Sequence, residues 1–194
     1  MSHRLYQTEG LILAAHHYGE ANNFYQILTP ELGLIGVSAQ GVRYLKSKLR
    51  LQLRNLDCVN LTLVQGREVW RLTGAQASRR LDGILFQPER LRVWARVANL
   101  VRRLMPGEQA QPELFTDLLC GLEALGEKSL TELDSVEMVI VLRLLHALGY
   151  VKSTAELSPW LEADFWSRRA LCLEQSESGK IMLVINHSLA QSQL

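Results

Sequence analysis

Arg43, Lys46, Lys48, Arg50 and Arg54 fall within a stretch from Leu32 to Leu56 that contains no acidic residue, with Tyr44 among them. Cations without acidic neighbours lack ready local partners, and on a loop they would suit a polyanionic backbone. Tyr44, Phe24 and Tyr25 add aromatic faces on which unpaired bases could stack. Neighbours on a strand point to opposite sides, so one of Phe24 and Tyr25 is expected in a core.

Catalytic and metal-binding patterns are missing by contrast. The chain has no GxSxG elbow, no GxxxxGK[ST] phosphate loop, no GxGxxG and no HExxH. His16 and His17 are adjacent, so on a strand they diverge and do not chelate one ion. His146 lies in the most apolar segment and reads as a core histidine with its hydrogen bonds met. The three cysteines, Cys58, Cys120 and Cys172, are too widely spaced for a metal clamp, and their odd number argues against a disulfide framework. No cofactor or metal is expected, and an enzyme is the last of the readings considered.

Elements must position the basic stretch, and the first 75 residues supply strands and turns. Residues 5–15, 22–29 and 34–39 are short runs of aromatic and branched residues, with Pro30 and Gly33 marking a hairpin turn between the second and third. A fourth strand runs from about Leu53, where Val59, Leu61 and Leu63 alternate with Asn60 and Thr62. Gln65-Gly66 turns the chain into a fifth, REVWRLTGA. Five short strands of this kind suggest a small closed barrel, of which the oligonucleotide-binding (OB) fold is the commonest five-stranded form.

Beyond Gln76 the apolar period changes from 2 to 3.6. From Pro88, Leu91, Trp94, Ala98, Val101 and Met105 share one helical face. Arg92, Arg96, Asn99 and Arg103 form the opposite stripe, which is either a solvated face or a second nucleic-acid contact. A second helix from Pro112 buries Leu114, Phe115, Leu118, Leu119, Leu122 and Leu125, leaving Glu113, Asp117 and Glu123 outside. A third is expected to be capped by Asp134, with Glu137 at the capping-box position and a stop at Gly149. Its sequence, VEMVIVLRLLHALGY, is apolar nearly all round and belongs at the centre of a helical domain. Residues 155–185 are harder to read: a Pro-Trp start, the run ALCLE, a polar turn SESGK and the run IMLVI suggest a hairpin or loosely packed helices. The tail INHSLAQSQL reads as a short terminal helix. The expected organisation is an OB domain over 1–78 and an all-helical domain over 79–194.

Across 194 residues, 21 basic side chains face 20 acidic ones, a net charge of +1 that argues against indiscriminate coating of DNA. That balance hides a split. Residues 1–110 carry 15 basic and 8 acidic side chains, a net of +7, whereas residues 111–194 carry 6 and 12, a net of −6. Sixteen of the basic residues are arginine, the side chain best shaped for bidentate phosphate contact. With 47% hydrophobic residues the chain can build a core, and no run approaches the ~18 apolar residues of a membrane span. Nothing at the N-terminus reads as a signal peptide, so a cytoplasmic location is expected.

The segments TEGLILAAHHYGE (8–20), ILTPELGLIGVSAQGVRYLKSKL (27–49), GREVWRL (66–72) and LRLLHALGY (142–150) resemble the bacterial RecO recombination-mediator family. Its motif KG-x-R-x-x-KS appears here with Gly41, Arg43, Lys46 and Ser47 matching and Gln40 in place of the lysine. The acidic residue that usually follows YGE is replaced by Asn22 or Asn23. The resemblance implies an N-terminal OB barrel, a helical domain, and a non-catalytic role in homologous-recombination DNA repair at the bacterial nucleoid. It further implies binding of single- and double-stranded DNA, annealing of complementary strands, and cooperation with RecR in loading RecA onto DNA coated by single-stranded-DNA-binding protein. Many members carry a four-cysteine zinc module after LGY; only Cys172 stands there, so no zinc is expected. The helical domain would receive the acidic C-terminal tail of the single-stranded-DNA-binding protein, in an apolar groove rimmed by cations such as Arg102, Arg103 or Arg143. Two other classes compete: an adaptor whose barrel grips an acidic protein surface, and an OB barrel that binds RNA.

Overall fold

In the computed structural model, residues 4–54, 56–79, 81, 84, 86–105, 107–162, 165–167 and 173–191 are described. Five strands, β1 (Leu5–Tyr18), β2 (Asn22–Thr29), β3 (Gly33–Ala39), β4 (Cys58–Gln65) and β5 (Trp70–Arg79), close into a barrel in the order β1-β2-β3-β5-β4. β1 spans both β2 and β4: Leu11 pairs with Leu28 on one side and with Cys58 on the other. A bulge between Ile12 and Ala14 bends β1 so that it can serve two neighbours. The parallel pairing of β3 with β5, Val37 to Trp70 and Ser38 to Arg71, shuts the barrel. This is the OB topology that the strand pattern suggests.

Alternation decides what lies inside. Ile12, Tyr25, Ile27, Ile35, Val37, Val59, Leu61, Leu63 and Trp70 fill the interior, and Tyr6 meets Trp70 edge to face at 5.0 Å. Tyr25 is therefore the core member of its pair with Phe24. Met105–Phe115 cluster with the barrel. The Leu34 amide donates to the Gly107 carbonyl (3.0 Å), the Gln111 amide to that of Pro30 (3.0 Å), and Trp70 Nε1 to Glu108 (3.1 Å).

The second compact unit, residues 82–104 and 116–194, is helical. Helices α1 (Pro88–Leu104), α2 (Pro112–Glu127), α3 (Leu133–Ala147), α4 (Ser158–Leu161) and α5 (Gln175–Gln191) are present among the described residues, α2 beginning in the barrel unit. Helix α1 buries Val93, Trp94, Val97, Ala98, Val101 and Leu104. Helix α3 buries Leu133, Val136, Val139, Ile140, Leu142, Leu144 and Leu145 and packs against α1, α4 and α5, the central place its composition indicates.

Three local expectations are corrected. Asp134 and Glu137 do not cap α3: the capping pair is Ser129 and Glu132 of the preceding 3₁₀ turn, with the Ser129 amide donating to the Glu132 carboxylate at 3.1 Å. Glu137 instead accepts from Arg96. SESGK is no turn and IMLVI no separate run, since both lie within α5. The Glu174 amide donates to the Glu177 carboxylate at 2.9 Å, satisfying an amide at the helix start, and Ile181, Ile185 and Ser188 repeat at helical spacing on the buried face. INHSLAQ continues the same helix, while most of ALCLE lies outside the described residues. Asp117, expected in solvent, is drawn inward by Arg143.

Candidate nucleic-acid interface

The chain between β3 and β4 forms a loop whose apolar members hold it to the barrel. Val42 and Leu53 are buried in the barrel core and Leu49 packs against it. At its start the Gly41 amide donates to Asn22 Oδ1 (2.9 Å) and the Arg43 amide to the Ala21 carbonyl (3.0 Å), tying the loop to the β1–β2 turn. Gly41 has φ of +65°, and a Cβ there would lie 3.3 Å from the Tyr44 ring, so both backbone and ring favour glycine. The Ser47 amide donates to the Tyr44 carbonyl (2.9 Å), and Lys48–Leu51 make one 3₁₀ turn. Toward β4, the Ala77 amide donates to Gln52 Oε1 at 3.0 Å.

With these anchors inward, Arg43, Lys46, Lys48 and Arg50 are exposed on one loop, beside Tyr44 at 64% and Leu45 at 89% exposure. Arg54 differs. Its Nε donates to Asp57 at 2.9 Å, and Asp57 is itself buried. The acid-free window ends just before Asp57, so counting within it overlooks this pairing. The loop thus brings together four outward cations and one aromatic ring, and assigns the fifth cation to an internal ion pair.

The strand residues divide as alternation requires. The buried Asn23 accepts from His17 Nδ1 (2.7 Å) and donates through Nδ2 to the Tyr25 hydroxyl (2.8 Å). Burial raises the Tyr25 phenol above its ordinary value, opposed in part by the hydrogen bond from Asn23. The asparagines after YGE are therefore structural: Asn22 holds the loop and Asn23 bridges strand side chains. His16 and His17 are exposed, one on each side of β1.

The second basic stripe is mostly engaged. Arg96 is bidentate to Glu137, with Nε to Oε1 at 2.6 Å, and this contact raises the guanidinium further above its ordinary value. Arg92 lies 3.8 Å from Glu89. Arg103 is exposed on the same helix and lines a groove of about 580 Å³ with Val97, Leu100, Met138, Val141, Met182, Ile185 and Leu189, together with Arg96, Asn99, Asp134 and Glu137. Arg143, expected at the rim of such a groove, is buried instead. It donates to Asp117 (2.7 Å) and to the carbonyls of Trp160 and Glu162 (both 2.8 Å). His146 donates through Nδ1 to the Val151 carbonyl at 2.9 Å, as a satisfied histidine should.

Among the described residues, no group of three or more His, Cys, Asp or Glu is placed to hold a metal ion. Cys58 is buried and Cys120 half-buried, and Cys172 lies outside the described residues. No helix is long and apolar enough to cross a membrane, among the same residues.

A five-stranded OB barrel carrying an outward cationic loop, followed by a helical unit, defines a protein of the oligonucleotide-binding-fold class. Residues 1–80 match the family model described as Recombination protein O N terminal, and residues 85–179 match Recombination protein O C terminal. The chain belongs to the RecO family. It is 33% identical over 147 residues to the DNA repair protein RecO of Heliobacterium modesticaldum, covering 76% of this chain and 52% of that one. To the RecO of Rubrobacter xylanophilus it is 30% identical over 146 residues, covering 75% and 58%. To that of a Synechococcus species it is 29% identical over 184 residues, covering 88% and 61%. The chain thus spans between about half and three fifths of the length of these relatives.

Proposed function

We propose that this protein is a DNA-binding recombination mediator acting in homologous-recombination DNA repair, without catalytic turnover. The observation that carries the reading is the outward cluster of Arg43, Lys46, Lys48 and Arg50 on a loop anchored by its own apolar residues. Such a loop neutralises successive phosphates while the barrel fixes its direction. Tyr44 stacks on a base, and Arg54 serves the loop by holding Asp57. On this reading residues 1–78 are the DNA-binding domain and 79–194 the partner-binding domain. The protein binds single- and double-stranded DNA, anneals complementary single strands and, with RecR, helps load RecA onto DNA coated by single-stranded-DNA-binding protein.

The groove lined by α1, α3 and α5 supports a protein-docking role for the helical unit. Its apolar lining with Arg103 fits a short acidic tail with apolar side chains, such as the C-terminal tail of the single-stranded-DNA-binding protein. Pull-down with intact and tail-deleted partner tests this point; retention of both alike refutes tail recognition.

The reading as a whole is tested by anisotropy of a labelled mixed-sequence single strand at low salt, with a matched RNA strand as competitor. Saturable binding in which DNA competes at least as well as RNA is expected. No retention of either would favour the adaptor reading, and preferential displacement by RNA would favour an RNA-binding barrel.

A further inference from the structure

The loop between β3 and β4 turns some of its apolar side chains inward and others out. Val42 and Leu53 enter the barrel core and Leu49 packs against it, whereas Tyr44, Leu45 and Leu51 are 64%, 89% and 76% exposed. Leu45 is the most exposed large apolar side chain among the described residues. One exposed leucine is ordinary on a protein surface. Here three large apolar side chains stand among the outward cations Arg43, Lys46, Lys48 and Arg50, a patch of mixed chemistry within residues 43–51.

Backbone hydrogen bonds hold Leu45 at a tip. The Tyr44 amide donates to the Gly41 carbonyl at 3.2 Å and the Ser47 amide to the Tyr44 carbonyl at 2.9 Å, so two turns follow one another. Leu45 and Lys46 are the two central residues of the second turn. The Tyr44 ring leans back over Gly41, which leaves Leu45 as the leading apolar group. Arg43 precedes this tip and Lys46 follows it, both exposed.

An isobutyl group at the head of a cationic loop differs in chemistry from the ring beside it. It has no π-face, so it does not extend a stack of unpaired bases as a tyrosine does. An aliphatic side chain can instead enter between two stacked base pairs of a duplex and part them, while nearby cations hold the backbone. With no carboxylate from Leu32 to Leu56, the tip approaches phosphates without repulsion, which favours a polyanion as its partner.

We infer that Leu45 is a wedge that enters a base step of duplex DNA, unstacking it and kinking the helix, with Arg43 and Lys46 on the flanking phosphates. The inference rests on the DNA-binding reading above and extends it from holding DNA to deforming it. Such a wedge gives the protein a preference for duplex that is easily opened, at flexible pyrimidine–purine steps and at mismatches.

The test uses the full chain and duplexes of about 14 base pairs with 2-aminopurine, which brightens on unstacking, at one central TA step. One duplex is fully paired and the other carries a mismatch at that step; an end label reports binding by anisotropy. Wild type is expected to raise the 2-aminopurine signal as it saturates, and to bind the mismatched duplex at least about 5-fold tighter than the paired one. Leu45→Ser should lose the rise and that preference, while its affinity for a single strand stays at the wild-type value. Leu45→Met, which keeps an apolar wedge, should retain both. At 89% exposure the side chain supports no packing, so both variants are expected to fold. Wild-type binding to the duplex without a rise overturns the inference and leaves phosphate contact by the loop intact. An equal rise in wild type and Leu45→Ser overturns it too, as does binding confined to the single strand. Failure to bind duplex and single strand alike removes the DNA-binding reading and this inference together.

Discussion

Two arginines of similar sequence context do different work, and what each side chain meets explains why. Arg43 points outward from a loop whose amides are bound back to the barrel, whereas Arg54 turns to the buried carboxylate of Asp57. Arg54→Ala should therefore cost about 1–2 kcal/mol of stability, because Asp57 loses a charged donor. Arg43→Ala should cost little by the same urea titration. In DNA binding the order should reverse, with Arg43→Ala reducing affinity more. Tyr25 gives a second prediction at this scale. Its phenol is raised in the folded state, so the stability linked to it is complete below the ordinary value of 10.0 and is lost as pH climbs through the folded value. Urea midpoints of wild type should fall as pH rises above 10.0 more steeply than those of Tyr25→Phe; parallel curves would refute the link.

At the scale of elements, Arg143 joins three helices. From α3 it donates to Asp117 on α2 and to the Trp160 and Glu162 carbonyls at the end of α4. Trp166 Nε1 donates to the same aspartate at 2.8 Å, so the carboxylate is shared. Arg143→Met should destabilise the chain by about 3 kcal/mol by leaving Asp117 and two carbonyls short of donors, and Arg143→Lys should recover less than half of that. Thermal unfolding followed by circular dichroism measures both. None of this is legible along the sequence, because an arginine on an apolar helix can point to solvent or inward and its partner stands 26 residues away. The strands were legible for the opposite reason: their alternation is local, and that one of Phe24 and Tyr25 lies inside follows from period 2, while the structure shows that it is Tyr25. Helix α5 was not. Its run IMLVI has strand composition, and packing against α3 fixes it as a helix.

For the whole molecule, the net charge of +1 is a cancellation between a +7 first part and a −6 remainder. A charged patch acts over about a Debye length, ~8 Å at physiological salt, so the total says little about what one loop attracts. The outward cations of residues 43–50 were readable because acidic residues are absent around them, and the barrel that presents them was readable from its turns and strands. What alternation and charge do not reveal is that the Phe24 ring lies over Gly36, a glycine one strand away. DNA binding rests on whether the loop meets phosphates. Log affinity for a single strand falls with log salt by about 0.7 per phosphate neutralised. Replacing Arg43, Lys46 and Lys48 together by alanine, in a chain shown by circular dichroism to be folded, should weaken binding and flatten that slope by about 2 units. An unchanged slope and affinity would contradict the account.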